Sequence, residues 1–180
     1  MCRTGLSMWL YKNLAIASLV LFLAGCGFSP IYGGKFGGAL TIDLSRIKIE
    51  PIKDWAGQML RNELEQKINP LGVKQKKLFR LNVTLSESKQ ELAIKKSEIA
   101  TRANLKLTAL YILTSQKSGV TVTSGSSSII VGYNILTQDF ATLIAEKDVR
   151  KRAAKELSTD ITNRLAVHFQ LNRRKAAAVK

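Results

Sequence analysis

The sequence predicts an α+β fold in which two helices pack on one face of a four-stranded, mostly antiparallel sheet, in the order β-α-β-β-β-α. Three observations lead there. The 180 residues, 46% hydrophobic and 23% charged, supply one core, which excludes wholesale disorder and a disulfide-dense scaffold. Three segments from Phe79 onward alternate apolar and polar residues with period two, separated by turns too short for helical crossovers. Two further segments carry apolar residues at helical spacing, one early and one at the end.

Residues 1–25 precede the domain and read as a signal peptide. Arg3 and Lys12 flank a polar start, Leu14 to Leu23 form a ten-residue apolar run, and Ala24, Gly25 and Cys26 follow. The run is too short for a membrane span, which needs about 20 apolar residues. Leu23-Ala24-Gly25-Cys26 resembles the bacterial lipobox, in which the chain is cleaved before the cysteine and its thiol is acylated. Cys26 is therefore the expected lipidation site, and two or three acyl chains hold a protein stably in a membrane. Gly27, where an inner-membrane lipoprotein would carry Asp, favours the outer membrane. Cleavage would discard Cys2, exclude an intramolecular disulfide and make the choice of Met1 or Met8 as start immaterial.

Residues 26–39 are glycine-rich and read as a lipidated tether. The sandwich domain is expected over residues 40–170. Leu40, Ile42, Leu44, Ile47 and Ile49 alternate with one slip, predicting a first strand with a bulge near Ser45. Asp54 is placed to cap a helix running to about Asn69, with Trp55, Met59, Leu60, Leu64 and Ile68 on its apolar stripe. Phe79, Leu81, Val83 and Leu85 mark the second strand, Ala103 to Leu113 the third and Val120 to Val131 the fourth. A last helix from about Thr137 to Phe169 has Phe140, Leu143, Ile144, Ala154, Leu157, Ile161, Leu165 and Phe169 on one stripe. Lys147, Arg150 and Lys151 fall on that stripe too, and three cations are not buried without partners. Either their stems snorkel, the helix bends, or that turn overhangs. Residues 171–180 read as a basic C-terminal tail.

Catalytic constellations are missing from the pattern. The one histidine, His168, adjoins the last apolar stripe, and neither a zinc set, a G-x-S-x-G elbow nor a phosphate-binding glycine loop is present, so neither an enzyme nor a cofactor is expected. Charge is more informative. The full chain carries 28 Lys and Arg against 13 Asp and Glu, a net +15. Cleavage takes Arg3 and Lys12 with it and leaves 26 cations against 13 anions, a net +13. Such an excess implies a polyanionic partner. Arg80, Arg102 and Lys106 alternate with Asn and Thr on the strand face turned away from the helices, and Lys95 and Lys96 occupy the turn between. These five are the candidate anion-binding residues. Aromatic residues between the cations are sparse and export removes the chain from cytoplasmic polyanions, so nucleic acid is not the expected partner. Phosphorylated envelope lipid, above all lipopolysaccharide, is.

The start Cys26-Gly27-Phe28-Ser29-Pro30-Ile31-Tyr32-Gly33, the segment Gly57 to Leu64, and the later pieces Gly132-Tyr133-Asn134, Phe140-Ala141, Ala145 to Asp148, Arg152 to Ala154 and Arg164 to Ala166 resemble LptE, the lipopolysaccharide-assembly lipoproteins, in their alphaproteobacterial form. The resemblance covers roughly residues 26–169. It implies a two-helix, four-stranded sandwich, anchored in the outer membrane and facing the periplasm. It also implies a plug within the lumen of the large β-barrel LptD, which assists that barrel's assembly, binds lipopolysaccharide during insertion into the outer leaflet and performs no covalent chemistry. The alternative is an auxiliary lipoprotein of an envelope lipid transporter of the ABC type.

Overall fold

The computed structural model describes residues 37–70, 72, 74–92, 102–135 and 138–178. The expected signal peptide, Cys26 and most of the tether lie outside them, as do Lys95 and Lys96. The elements run α1 (Gly37–Ser45), β1 (Ile47–Ile49), α2 (Asp54–Ile68), β2 (Phe79–Leu92), β3 (Arg102–Ser115), β4 (Thr121–Asn134) and α3 (Asp139–Ala178). The expected sheet is present, four strands in the order β1-β2-β3-β4, with helices packed on it. β1 pairs parallel to β2 across the α2 crossover, and β2, β3 and β4 form an antiparallel meander.

The first expected strand is corrected. Residues 37–45 are helical, and only Ile47–Ile49 extend. Leu40 and Leu44 stand one helical turn apart and are both buried, whereas Ile42 between them is exposed, so spacing four rather than two defines the buried face. Lys77 Nζ donates to the Ser45 carbonyl at 2.8 Å, placing a cation at the C-terminal end of α1.

α2 begins where expected but for a different reason. Lys53 occupies the cap position without a side-chain hydrogen bond, and Asp54 has φ +66°, so Asp54 does not cap the helix. Its buried face is Ala56, Gly57, Leu60, Leu64 and Ile68, while Trp55 is exposed. Gly57 is required there: a Cβ would lie 2.7 Å from Ile52 Cγ2.

β2, β3 and β4 are each 14 residues, about 48 Å long. On β3, Ala103, Leu105, Leu107, Ala109, Tyr111 and Leu113 are all buried, the face predicted from their alternation. The serine-rich middle of β4 also has a packing reason. Buried Ser127 donates to Asp160 of α3, and Gly125 leaves room for Tyr111, whose hydroxyl would stand 2.6 Å from an added Cβ.

α3 is one continuous helix of 40 residues, about 60 Å, longer at its C-terminal end than the expected Phe169 limit. The expected basic tail is thus helical through Ala178, and Arg173 Nε donates to Asp43 of α1 at 2.7 Å. The expected apolar stripe is corrected as well. Buried residues come in pairs every four positions: Ala153 and Ala154, Leu157 and Ser158, Ile161 and Thr162, Leu165 and Ala166, then Phe169. Four residues advance a helix by about 400°, so the core-facing side shifts by about 40° per step and has moved roughly half a turn between Val149 and Phe169. Projecting the C-terminal stripe backward therefore fails. Phe140, Leu143 and Ile144 are exposed, as are Lys147 and Lys151, and Val149 takes the core position.

Candidate binding site at the distal pole

The sheet has two distinct ends. At the proximal pole Phe79 pairs with Ser115, close to β1 and both ends of the α2 crossover; at the distal pole Leu92 pairs with Arg102, and Arg102 with Asn134. Register decides which candidate residues meet. Arg80 is opposite Thr114, Lys106 opposite Ser88 and Arg102 opposite Leu92, all on the face away from the helices. Eight residues of β2 separate the levels of Arg80 and Lys106, about 27 Å, and twelve separate Arg80 from Arg102, about 40 Å. Arg80 is therefore not part of one cluster with the other two. It pairs instead with Glu50 beyond β1, Nε to Oε1 at 3.0 Å.

Arg102 and Lys106 stay together, four residues or about 13 Å apart along β3, and neither forms an ion pair among the described residues. Arg102 and Asn104 line a cavity of about 700 Å³ at the distal pole, with Tyr133 and Asn134 of β4 and Asp148 and Arg152 of α3 across it. Arg152 Nε donates to Asp148 at 2.9 Å, which leaves Arg102 as the lining cation without a carboxylate partner. The remainder of the open face is hydroxyl-rich, with Ser86 bonded to the Thr108 carbonyl and Thr108 to Ser128, both at 3.3 Å. Leu110, Ile112 and Ile130 are exposed among these hydroxyls.

Beside the cavity, on the helix-covered face, sits a polar network that the sequence reading missed. Arg150 of α3 grips Glu87 of β2 with Nε and Nη2 at 2.8–3.1 Å and reaches Glu146 at 3.5 Å. Glu146 also accepts from Lys89 and, at 3.0 Å, from the Tyr133 hydroxyl. The hydrogen bond from Lys89 holds the Glu146 carboxyl below its ordinary pKa, and the reciprocal bond raises the Lys89 ammonium. Arg150 is raised chiefly by its bond to Glu87, and burial raises Tyr133. A signal was available: Glu87, Lys89 and Glu91 continue the parity of Leu81, Val83 and Leu85, so charges replace apolar residues on the inward face of β2. Arg150, one of the three cations expected on the apolar stripe, thus has carboxylate partners.

Among the described residues no group of three or more His, Cys, Asp or Glu side chains is placed to hold a metal, and no helix is long and apolar enough to cross a membrane. His168 faces Phe169 edge-on and bonds Asn172 at 2.9 Å within α3. The arrangement offers cations, hydroxyls and a cavity.

Solved structures similar to this chain include several lipoproteins. A lipoprotein of Caulobacter crescentus CB15 superposes with a TM-score of 0.63 at 22% identity, covering 74% of this chain and 97% of its own. A minor lipoprotein of Acinetobacter baumannii gives 0.55 at 14% identity, covering 67% and 90%. Rare lipoprotein B of Shewanella oneidensis gives 0.52 at 9%, covering 71% and 98%. These likenesses define the class by fold alone: a small two-layer α+β module. No curated protein sequence matches the chain significantly. The family model for lipopolysaccharide assembly matches residues 41–165, and the chain belongs to that family, LptE. A role in lipopolysaccharide assembly in the cell envelope follows from that membership, and the family is a non-catalytic one.

Proposed function

We propose that this LptE-family protein is an outer-membrane lipoprotein, acylated at Cys26, that plugs the lumen of the lipopolysaccharide-translocating barrel LptD and assists its assembly. It binds lipopolysaccharide through phosphate contacts at the distal pole. The observation that carries the reading is the family match across residues 41–165, which spans every strand and most of α3. Support for the ligand comes from Arg102, which lines a cavity of about 700 Å³, and from Lys106 on the same strand, cations without ion pairs among the described residues. The strand backbone that carries them is already ordered, so only their side chains lose freedom on meeting an anion. Lys95 and Lys96, which precede β3, belong to the same proposed site; Arg80, at the other pole and paired to Glu50, does not.

The experiment is purification of the tagged protein in mild detergent. A large β-barrel should accompany it. Recovery of components of a lipid transporter instead would overturn the plug role in favour of an auxiliary transporter lipoprotein. Arg102→Glu combined with Lys106→Glu should weaken lipopolysaccharide binding about tenfold or more, at about 1.5–3 kcal/mol for each charge-assisted bond lost, with the melting temperature unchanged. Cys26→Ser should yield unacylated material that no longer fractionates with the outer membrane.

A further inference from the structure

The outward face of the N-terminal half of α3 has no role in the binding pole and no cover among the described residues. Phe140 is 74% exposed, and Leu143 and Ile144 are each 48% exposed. Lys147, Lys151 and Lys155 continue the same side at four-residue intervals, all exposed and none with an ion pair among the described residues. On a helical projection these six side chains fall within roughly a 120° sector. Asp148 borders the sector, and Arg152 neutralises it at 2.9 Å. The drift of the buried face around α3 produces this stripe, because it turns the first third of the helix away from the core direction of the rest.

We propose that this stripe is a membrane-docking surface, with Phe140, Leu143 and Ile144 entering the interfacial layer of an anionic phospholipid leaflet and Lys147, Lys151 and Lys155 meeting its phosphates. Shape and charge select that occupant. The stripe runs about 22 Å along a convex helix face, with no concavity to enclose one ligand molecule, so its complement is an extended plane. The apolar side chains at one end of the stripe enter the acyl boundary, and the lysine stems beyond them reach sideways to place ammonium groups among phosphates. Each lysine near an anionic leaflet is worth about a fivefold change in partitioning. A plug enclosed by a barrel is screened from lipid, so the docked state belongs to the lipoprotein before it enters its barrel.

The test uses the full-length protein, purified from membranes and reconstituted into vesicles of phosphatidylethanolamine alone or mixed with phosphatidylglycerol, with neither barrel nor lipopolysaccharide present. A Phe140→Trp variant reports contact with brominated acyl chains, read as the difference from the parent protein. Quenching should be several-fold stronger in the mixed vesicles and should fall away at high salt. Adding Lys147→Glu, Lys151→Glu and Lys155→Glu should shift the ratio of docked to free domain by about a hundredfold or more, while circular dichroism stays unchanged. Equal quenching in both vesicle types, or indifference to the triple change, overturns the proposal. So does an indole that, in a separate detergent preparation, is shielded only when the barrel copurifies, since that assigns the face to a protein partner. Because the vesicles contain no barrel, failure here leaves the plug reading standing, and absence of a barrel in the purification leaves this proposal standing.

Discussion

The proximal and distal halves of the sandwich are built from the same three strands and held together by different forces. Over the proximal half α2 packs on α3 and β1, and Leu60, Leu64 and Ile68 of α2, Ile161 and Leu165 of α3 and Leu81 of β2 are all essentially without solvent exposure. Over the distal half α2 has ended, α3 alone covers β3 and β4, and the inward face of β2 turns from Leu81, Val83 and Leu85 to Glu87, Lys89 and Glu91. There the helix is fixed by Glu87, Arg150, Glu146, Lys89 and Tyr133. Apolar burial is strong and indifferent to ions; a partly exposed ionic network is weaker and responds to salt and pH. The half carrying Arg102, Lys106, the 700 Å³ cavity and the exposed apolar turn is thus the half with the softer attachment.

The largest effect should come from breaking the proximal side. Leu60→Ala removes a fully buried side chain and should cost about 2–5 kcal/mol, seen as a lower denaturant midpoint for the whole domain. Arg150→Met should cost less, about 1 kcal/mol, because Glu87 and Glu146 retain some access to solvent and can rehydrate. Its signature is local: amide exchange should accelerate at Glu87–Leu92 and in the first turns of α3 while proximal amides keep their protection. Uniform acceleration across both halves would show that the network supports the domain as a whole and would erase the distinction.

Protonation separates the halves more finely. Glu146 has a folded pKa below its ordinary value, so the stability it contributes is full above the unfolded carboxylate pKa and is lost as pH falls through the depressed folded value. Lys89 has a raised folded pKa, so its contribution is full below the ordinary lysine pKa of 10.5 and is lost only as pH rises beyond that. Acid should therefore loosen the distal half first. Glu146→Gln should flatten the acid limb of the stability profile and leave the neutral-to-alkaline range below pH 10.5 nearly parallel to that of the parent; an unchanged acid limb would remove Glu146 from the network.

Much of this contrast was legible in the sequence, and the gaps have physical causes. Period two over Ala103 to Leu113 identified β3 and its buried face because one face of a half-covered strand must be apolar. Leu40, Ile42, Leu44, Ile47 and Ile49 fit a bulged strand and a helix followed by a short strand equally well, and tertiary packing of Leu40 and Leu44 decided for the helix. The start of α3 was misread because a single projected stripe assumes a fixed core direction, whereas this helix buries pairs every four residues. Strand parity correctly put Arg80, Arg102 and Lys106 on the open face, but parity carries no information on register, and register sets Arg80 about 40 Å from Arg102.

That separation supplies the smallest predicted effect. Arg80 and Arg102 are both strand arginines on the open face, yet one bonds Glu50 at 3.0 Å and the other has no ion pair among the described residues. The Arg80 side chain is 51% exposed, so the pair is screened by solvent, and Arg80→Gln should cost at most about 0.5 kcal/mol with lipopolysaccharide binding unchanged. Arg102→Gln should do the reverse, lowering binding with no change in stability. If both substitutions weakened binding equally, the ligand would have to extend along the full open face, past the exposed Leu110, Ile112 and Ile130, and the site would no longer belong to one pole. Equal insensitivity would move recognition to Lys95 and Lys96, the proposed contacts that precede β3. The single arginine exchanges thus distinguish a polar cluster from a face-long groove at a level of stability change too small to confound either measurement.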